Sequence, residues 1–256
     1  MLDFEKRPGA ALIAGGTGGI GRAISRLFAE RGSDVFFTYR GNQEGAAGLA
    51  SELSALGAKA EFARVDLANS DDVAELVTQV RASCGAIHTV VYAAGPHVPM
   101  THLSKVTPEQ FRHQLDSDAA AFFNLVHPTL PLLRETRGNI VAVTTAATRR
   151  FPVRDGLSSA PKGAVESVVR ALAAEEGRFG LRANCVGPGM LTDGMAARLI
   201  GSGDLDDRAL EITRGNIPLR RFGDADDIAE AVAFLASDRA DFISGQTLDV
   251  DGGYGV

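Results

Sequence analysis

Five glycines lie between a short apolar run and an amphipathic segment near the start of the chain. Residues 14–21 read Ala-Gly-Gly-Thr-Gly-Gly-Ile-Gly and lead into a helical pattern with apolar side chains at Ile24, Leu27 and Phe28. Glycines let a backbone turn tightly and approach a pyrophosphate, whose charge then faces the free N–H groups of the helix start. This context predicts a dinucleotide-binding turn rather than an ordinary flexible one. The residues predicted to contact the dinucleotide here are Gly15, Thr17, Gly19, Ile20 and Gly21.

The second apolar run ends at Arg40, at a position where dinucleotide-binding folds selective for NAD have an acidic residue. This segment reads Phe37-Thr38-Tyr39-Arg40, so no carboxylate is available for the ribose hydroxyls. A guanidinium presents a forked donor to phosphate oxygens, so Arg40 is predicted to pair with a 2′-phosphate. A solvated surface arginine is the alternative. The predicted cofactor is therefore NADP(H), in preference to NAD(H).

Short apolar runs alternate with longer helical patterns along the chain. Runs at 10–14, 34–39 and 60–65 alternate with helical patterns at 20–31, 44–56 and 71–82, and this is a βαβαβ order. Further strands are predicted at 89–93, 139–144, 181–186 and 247–250, with helices at 108–134, 159–177 and 224–236. The alternation predicts an α/β fold: a Rossmann-type, doubly wound parallel sheet of about seven strands with helices on both faces.

No linker or internal repeat divides the sequence, so residues 1–256 are predicted to form one domain. The region 187–217 has no strong periodicity and contains several glycines and acids. We interpret residues 190–217 as a mobile lid over a site.

Composition excludes several classes of function. The formal charge of -6 and the pI near 5.4 provide no basic surface for nucleic acid. No leader pattern or membrane-spanning apolar run is present, so a cytoplasmic protein is expected. Cys84 and Cys185 lie far apart without metal-ligand spacing, which argues against a disulfide framework or a metal site.

Five features, in chain order, resemble the short-chain dehydrogenase/reductase family. The glycine turn matches the family pattern except for Ala14, where the family has threonine. Asp66 follows the third strand, and Tyr92-Ala93-Ala94-Gly95 matches half of the family's Asn-Asn-Ala-Gly. The segments 184–192 and 245–253 are also similar to the family. The residues that the resemblance implies bind the cofactor are Asp66, Leu67, Ala93, Ala94, Gly95, Pro188, Gly189 and Thr192.

The resemblance also implies a catalytic set, which this chain retains only in part. Family members have Tyr-x-x-x-Lys on the helix after the fifth strand, a serine thirteen residues before the tyrosine, and an asparagine on the preceding helix. The lysine holds the ribose and lowers the pKa of the phenol, which can then pass a proton to the substrate oxygen. The matching residues here are Lys162, Ser158 in place of the tyrosine, Thr145 in place of the serine, and Asp118 in place of the asparagine.

Loss of the tyrosine leaves the proton donor open, because an aliphatic hydroxyl such as that of Ser158 is too weak an acid. Asp155 stands seven residues before Lys162, where the enoyl-reductase branch of the family has its tyrosine. A carboxylic acid there can donate a proton if burial raises its pKa. The alternative is a loop aspartate paired with Arg150 or Arg154. His97 is another candidate acid.

Three hypotheses follow for the function. The first, which retention of Lys162 and Thr145 favours, is a reductase of a carbonyl or activated conjugated C=C substrate with a non-standard or substrate-assisted proton donor. The second is a non-redox enzyme, a cyclase or dehydratase, that uses Asp155 and the arginines between 149 and 154. The third is a non-catalytic cofactor-binding scaffold.

The resemblance further implies a homo-oligomer, a tetramer or dimer, formed through the helices at 108–134 and 159–177. The second of these helices has an apolar stripe, which either contributes to that interface or belongs to the core. The stripe consists of Val165, Val168, Val169 and Leu172. A small-molecule substrate is the other expected partner.

Overall fold

A parallel sheet of seven strands runs through the part of the chain that the computed structural model describes, residues 2–96, 98–192 and 207–256. The strands follow the order β3-β2-β1-β4-β5-β6-β7 across the sheet, so the winding direction reverses between β1 and β4. In such sheets a ligand crevice forms beyond the carboxyl ends of the strands at this switch point. The strands are β1 (Ala10–Ala14), β2 (Asp34–Tyr39), β3 (Ala60–Arg64), β4 (Ile87–Tyr92), β5 (Asn139–Val143), β6 (Arg182–Pro188) and β7 (Thr247–Val250).

Helices cover both faces of the sheet, as predicted. Along β1, Ala11 and Ile13 belong to one buried cluster and Leu12 and Ala14 to the other, because successive side chains of a strand point to opposite faces. The first cluster includes α1, α2 and α8, and the second includes α3, α5 and α6. The helices are α1 (Gly19–Glu30), α2 (Gln43–Ala55), α3 (Ser70–Cys84), α4 (Pro108–Leu115), α5 (Ala121–Thr136), α6 (Gly156–Glu176), α7 (Asp207–Asn216) and α8 (Ala225–Ala236).

Local sequence signals explain where several helices begin. The side chain of Asn69 accepts a hydrogen bond at the start of α3, and Thr107 and Asp224 form capping boxes at α4 and α8. Each of these side chains satisfies a backbone N–H group that has no partner within the helix.

The structure corrects the sequence-based prediction of helices at three places. The helix predicted at 108–134 is interrupted by a π-helical turn at Asp116–Ala120, for which the sequence contains no local signal. The helix predicted at 159–177 begins at Gly156 instead. Residues Asp207–Asn216 form α7 within the region predicted to lack regular structure, because this short polar helix has too few apolar positions to produce a clear period. The rest of the predicted lid, 193–206, lies outside the described residues.

The apolar stripe of α6 belongs to the core. Val165, Val169 and Leu172 are buried, and the partly buried Val168 packs against the same cluster. The two cysteines are free, with Cys185 buried and Cys84 half-buried. Within 2–96, 98–192 and 207–256, no helix has the length and apolarity needed to cross a membrane.

Candidate active site

The glycine turn passes so close to the loop after β4 that it has no room for side chains. Gly15 has φ +84°, and a Cβ atom there would lie 2.8 Å from the Cα of Ala94 and 2.9 Å from the carbonyl oxygen of Ala93. A Cβ atom at Gly21 would lie 2.2 Å from the carbonyl oxygen of Gly15. The Ala93 N–H donates to the Ala14 carbonyl at 3.0 Å, which joins the two segments. Glycine is therefore required at position 15 for the left-handed backbone and the close approach, and at position 21 for the close approach.

The start of α1 leaves backbone donors available to an anion. Gly18 precedes the helix and provides no side-chain cap, and no acid lies in the first turn, which begins at Gly19. Thr17 is half-buried beside this turn, and Ile20 packs against the core behind it. Uncapped N–H groups at a helix N-terminus attract phosphate oxygens, so the turn fits a pyrophosphate.

Two arginines lie at the carboxyl ends of β2 and β3. Arg40 is exposed, and its guanidinium has no ion-pair partner among the described residues. The Nε of Arg64 donates to the Arg40 carbonyl at 3.0 Å, which brings a second cation to the same position. Sequence reasoning missed Arg64. The available signal was the parallel pairing of β2 with β3, which places Tyr39 opposite Arg64.

Asp66 and Leu67 form the turn that follows β3. The Asp66 side chain is exposed and its Oδ1 accepts the Ala68 N–H at 3.1 Å. The Leu67 carbonyl accepts from the amide of Asn124 on α5 at 3.0 Å. These bonds hold the turn against α5 and leave its outer side open to solvent.

Lys162 and Asp118 form a buried ion pair behind the loop after β4. The Lys162 ammonium lies 2.9 Å from Asp118 Oδ1 and 3.5 Å from the Ala94 carbonyl oxygen. A Cβ atom at Gly95 would lie 3.7 Å from the same ammonium. The structure thus brings together two predicted catalytic residues and the predicted cofactor loop 93–95.

Tyr92 completes this network, and sequence reasoning missed it. Its hydroxyl donates to the Asp118 carboxylate at 3.1 Å and to the Asp118 carbonyl at 3.0 Å, and its ring centroid lies 5.1 Å from the Lys162 ammonium. Burial, with the charge of Asp118 added, raises the pKa of Tyr92 well above its usual value, so the phenol stays protonated. A signal existed: positions 92 and 118 both differ from asparagines of the family pattern, and the two replacements are hydrogen-bond partners.

Thr145 follows β5 with its hydroxyl available for donation. Its Oγ1 accepts the Ala147 N–H at 3.2 Å, and a hydroxyl group that accepts one bond still has its proton to donate. Ser158 and Ser159, in the first turn of α6, differ. Ser159 is buried and donates to the Asp155 carbonyl at 3.2 Å, whereas Ser158 is half-buried with no side-chain hydrogen bond among the described residues.

Asp155 lies just before α6, and its carboxyl group makes no capping hydrogen bond there. Burial raises the pKa of this carboxyl to about 6. In the described ranges it forms no ion pair with Arg150 or Arg154, the pairing that was the alternative to a catalytic role. Arg150 instead donates to the Tyr254 carbonyl at 3.0 Å. His97, the other candidate acid, lies outside the described residues.

A buried acid on α6 anchors the loop after β5. Glu166 is 3% exposed and accepts hydrogen bonds from the hydroxyls of Thr144 at 3.1 Å and Thr148 at 2.8 Å. Arg149 lies 3.5 Å from Glu166 and 3.5 Å from Asp249. The predicted hydroxyl donor Thr145 therefore sits on a loop held from both sides.

The segment after β6 is held by the C-terminal part of the chain. The Gly189 N–H donates to the Val250 carbonyl at 3.0 Å, and a Cβ atom at Gly189 would lie 2.6 Å from the Cα of Asp251. Pro188 ends β6, and the N–H of the exposed Thr192 donates to the Gly223 carbonyl at 2.9 Å. The predicted nicotinamide-side residues thus lie at the same edge of the sheet as Thr145.

The sheet order, the glycine turn at its switch point and the lysine behind it define a dinucleotide-binding α/β protein. A family model described as Enoyl-(acyl carrier protein) reductase matches residues 14–255. The chain belongs to the short-chain dehydrogenase/reductase family of oxidoreductases.

Similar proteins include reductases and dehydrogenases. The 3-oxoacyl-[acyl-carrier-protein] reductase FabG of Staphylococcus epidermidis is 32% identical over 245 residues, 95% of this chain and 98% of that protein. The L-fucose dehydrogenase of Oryctolagus cuniculus is 32% identical over 244 residues, 94% of this chain and 83% of that protein.

Solved structures of the same fold include complexes with nicotinamide dinucleotides. A blue fluorescent protein from a metagenomic library, in complex with NADPH, superposes with a TM-score of 0.89 at 28% identity, covering 99% of this chain and all of that one. A short chain dehydrogenase from Burkholderia cenocepacia, in complex with NADP, has a TM-score of 0.88 at 28% identity, covering 98% of this chain and 100% of that one.

Proposed function

We propose that this protein is an NADP(H)-dependent reductase of a carbonyl or activated conjugated C=C substrate, and that its proton donor is not a tyrosine. The observation that carries the proposal is the position of Lys162, whose ammonium lies 3.5 Å from the carbonyl of Ala94. Ala94 in turn contacts the glycine turn, so one cation adjoins the dinucleotide crevice while the Thr145 hydroxyl lies at the same edge.

The residues present fit a dinucleotide with a 2′-phosphate. The tight left-handed turn at Gly15 and the uncapped start of α1 suit the pyrophosphate. Arg40 and Arg64 suit the 2′-phosphate, and the NADP and NADPH complexes of similar structures agree with this choice. The loops 93–95 and 188–192 would hold the nicotinamide half. When bound, the reduced nicotinamide supplies a hydride to the substrate carbon.

The chain's own residues orient the substrate oxygen and supply the proton. The Thr145 hydroxyl donates a hydrogen bond to that oxygen, and Lys162 would hold the ribose while Asp118 balances its charge. Asp155, protonated in part because its pKa is about 6, gives up its proton to the oxygen as the carbon receives the hydride. Reduction of a carbonyl then yields an alcohol and an Asp155 carboxylate, which takes up a proton from water.

The names of the similar proteins support the direction of the reaction. The family model is described as a reductase of enoyl groups and the FabG relatives as reductases of 3-oxoacyl groups. Both substrates have a carbonyl or a conjugated double bond next to a group that stabilises negative charge. An enoyl substrate needs less help from a strong acid than a ketone does, because hydride addition to the conjugated double bond gives an enolate, whereas hydride addition to a ketone gives an alkoxide.

The first experiment mixes the purified protein with NADPH or NADH and follows absorbance at 340 nm against ketones, quinones and enoyl thioesters, alongside direct titration of each cofactor. Turnover with NADPH on a member of this panel, lost in a Lys162→Met variant, is the expected result. Tight NADPH binding without turnover on any compound would instead favour the non-redox enzyme or the scaffold. Failure to bind either cofactor would overturn the proposal.

A further inference from the structure

An open pocket of about 410 Å³ lies between the loop after β4 and the loop before α6. The two loops are joined by a hydrogen bond from the Thr101 N–H to the Arg154 carbonyl at 3.1 Å. The residues that line the pocket are Met100, Thr101, His102, Lys105 and Arg154.

The lining of this pocket is basic although the chain as a whole is acidic, with a formal charge of -6. It contains the permanent cations of Lys105 and Arg154 and the titratable ring of His102, and no acid. Neither Lys105 nor Arg154 forms an ion pair within the described ranges. By contrast, the nearby Arg149 lies 3.5 Å from Glu166 and from Asp249, and Arg150 stacks on Tyr254. The pocket thus has two cations without an ion-pair partner in the part of the chain that the structure describes.

The backbone conformation of Arg154 also supports a ligand site. Arg154 has φ +74°, in the left-handed region that disfavours residues with a Cβ atom. The hydrogen bond from Thr101 holds this conformation. A strained non-glycine residue whose cation lines a pocket and has no ion-pair partner among the described residues is a reason to look for a ligand there.

The pocket adjoins the candidate active site. Arg154 directly precedes Asp155, and a Cβ atom at Gly156 would lie 2.6 Å from Leu103, so the loop that contains Lys105 packs on the start of α6. Two neighbouring apolar side chains, Phe151 and Val153, are 70% and 71% exposed. A ligand in the pocket therefore lies beside exposed apolar surface and next to the segment that contains Asp155.

We propose that this pocket is an anion subsite, in which Arg154 and Lys105 bind a carboxylate or phosphate group of the substrate at a distance from the reacting carbon. This inference rests on the proposed function and narrows its substrate class to anionic carbonyl or enoyl compounds. The anionic group is either the carboxylate of a free acid or the phosphate of a carrier thioester, and the test distinguishes the two.

The test is calorimetric titration of the protein saturated with NADPH, which fills the phosphate-binding groups of the cofactor site. The probes are phenylacetate and phenyl phosphate at low salt. The wild type is expected to bind one anion per chain, and Arg154→Gln is expected to weaken that binding at least about tenfold, with a larger loss in a double variant that adds Lys105→Gln. Tighter binding of phenyl phosphate assigns the site to a phosphate, and tighter binding of phenylacetate assigns it to a carboxylate.

Arg81→Gln is the matched control, because Arg81 is an exposed cation at the far end of α3 that pairs with Glu135. Equal loss of binding in this control, equal affinity in the wild type and the double variant, or no saturable binding in the wild type would each overturn the proposal. Arg154→Gly suits the left-handed backbone and repeats the test if Arg154→Gln does not fold.

The experiments distinguish failure of the proposed function from failure of the proposed anion subsite. If NADPH does not bind, the proposed function fails, and the same titration in an Arg40→Gln background still tests the pocket without competition from that cation. If turnover is found, Arg154→Gln should raise the KM of the anionic substrate and leave its kcat nearly unchanged. The KM of the corresponding methyl ester should not change in this variant. Turnover in which both compounds respond alike to the substitution would remove the subsite and leave the reductase standing.

Discussion

Asp155, just before α6, and Ser158, in its first turn, stand at the two positions where members of the family have a tyrosine, and their surroundings differ in a way that matters for proton transfer. Asp155 is partly buried without a hydrogen bond or ion pair to its carboxyl among the described residues, and this burial raises its pKa to about 6. Ser158 has a hydroxyl that does not ionise near neutral pH. The chemistry expected of the site therefore depends on the carboxyl.

The substitution Asp155→Asn is expected to lower kcat in the reductive direction by about 10²–10⁴, because an amide cannot donate a proton of comparable acidity. The wild-type rate is expected to fall as pH rises through about 6, where the acid form is lost. Steady-state kinetics between pH 5 and 9 measure both effects. Ser158→Ala is the control and should leave the pH profile unchanged; unchanged turnover in Asp155→Asn would favour protonation by the substrate itself or by water.

Burial of the Asp155 carboxyl also affects the stability of the fold. Because the folded-state pKa of Asp155 is raised from 3.8 to about 6, its neutral form contributes stability below pH 3.8, and this contribution is lost as pH rises through 6. The loss is at most about 3 kcal/mol. Urea unfolding of the wild type and Asp155→Asn at pH 4 and pH 7 isolates the effect. The free energy of unfolding of the variant should increase relative to that of the wild type between pH 4 and pH 7. An equal change in both proteins would contradict the raised pKa.

Arg40 is the side chain on which the predicted choice of cofactor depends. Arg40→Gln is expected to raise the Kd for NADPH at least about tenfold and to leave that for NADH unchanged, because only NADPH has the 2′-phosphate. Fluorescence titration with both cofactors measures this. Arg26→Gln, a variant of an exposed α1 arginine paired with Asp226, should change neither Kd. A parallel loss for both cofactors would place Arg40 outside the phosphate site.

Three elements meet at the Lys162 ion pair: the end of β4, the π-helical turn between α4 and α5, and the second turn of α6. Tyr92, Asp118 and Lys162 each come from one of them. The π-helical turn gives Asp118 its buried position, and such single turns recur at functional sites. The network joins helices on one face of the sheet to the crevice at its edge.

Tyr92→Phe is expected to destabilise the fold by about 1–2 kcal/mol, because a buried carboxylate loses one donor while it keeps Lys162. Combination with Asp118→Asn should give a coupling energy of at least about 0.5 kcal/mol in a double-mutant cycle measured by urea unfolding. Tyr39→Phe, on β2 and outside the network, is the control. Additive effects of the two substitutions would show that the hydroxyl does not act through Asp118.

At the level of assembly, the chain presents an exposed aromatic side chain on α5. Phe123 is 48% exposed beside His127, with the two ring centroids 5.7 Å apart, whereas the apolar stripe of α6 is already used by the core. We propose that the homo-oligomer implied by the family forms through this outer face of α5. The proposal requires that a second copy cover Phe123.

Light scattering is expected to give a particle mass of two or four 26.8 kDa chains, and Phe123→Asp is expected to reduce it because a charge would be buried in the interface. Leu56→Asp, at an exposed apolar residue just after α2, should leave the mass unchanged. A monomeric wild type would contradict the proposed assembly. An oligomer that survives Phe123→Asp would move the interface to another surface.

Much of the architecture follows from local patterns in the sequence. Short apolar runs and segments with a helical period predicted the seven strands and most helices, and the glycines at 15 and 21 marked the crevice. These features could be predicted because each depends on neighbours within a few residues. The π-helical turn and α7 were missed, since the first is imposed by packing and the second has too few apolar positions.

The residues of the candidate site also fall into two groups: those predicted from the sequence and those found only in the structure. The resemblance to the family's catalytic pattern was sufficient to single out Lys162, Asp118, Thr145 and Asp155, because each matches a position of that pattern along the chain. The roles of Tyr92, Arg64 and Glu166 and the pocket between Lys105 and Arg154 emerged only on folding. They depend on contacts between segments up to about seventy residues apart, and the pKa of Asp155 depends on how much water those contacts exclude.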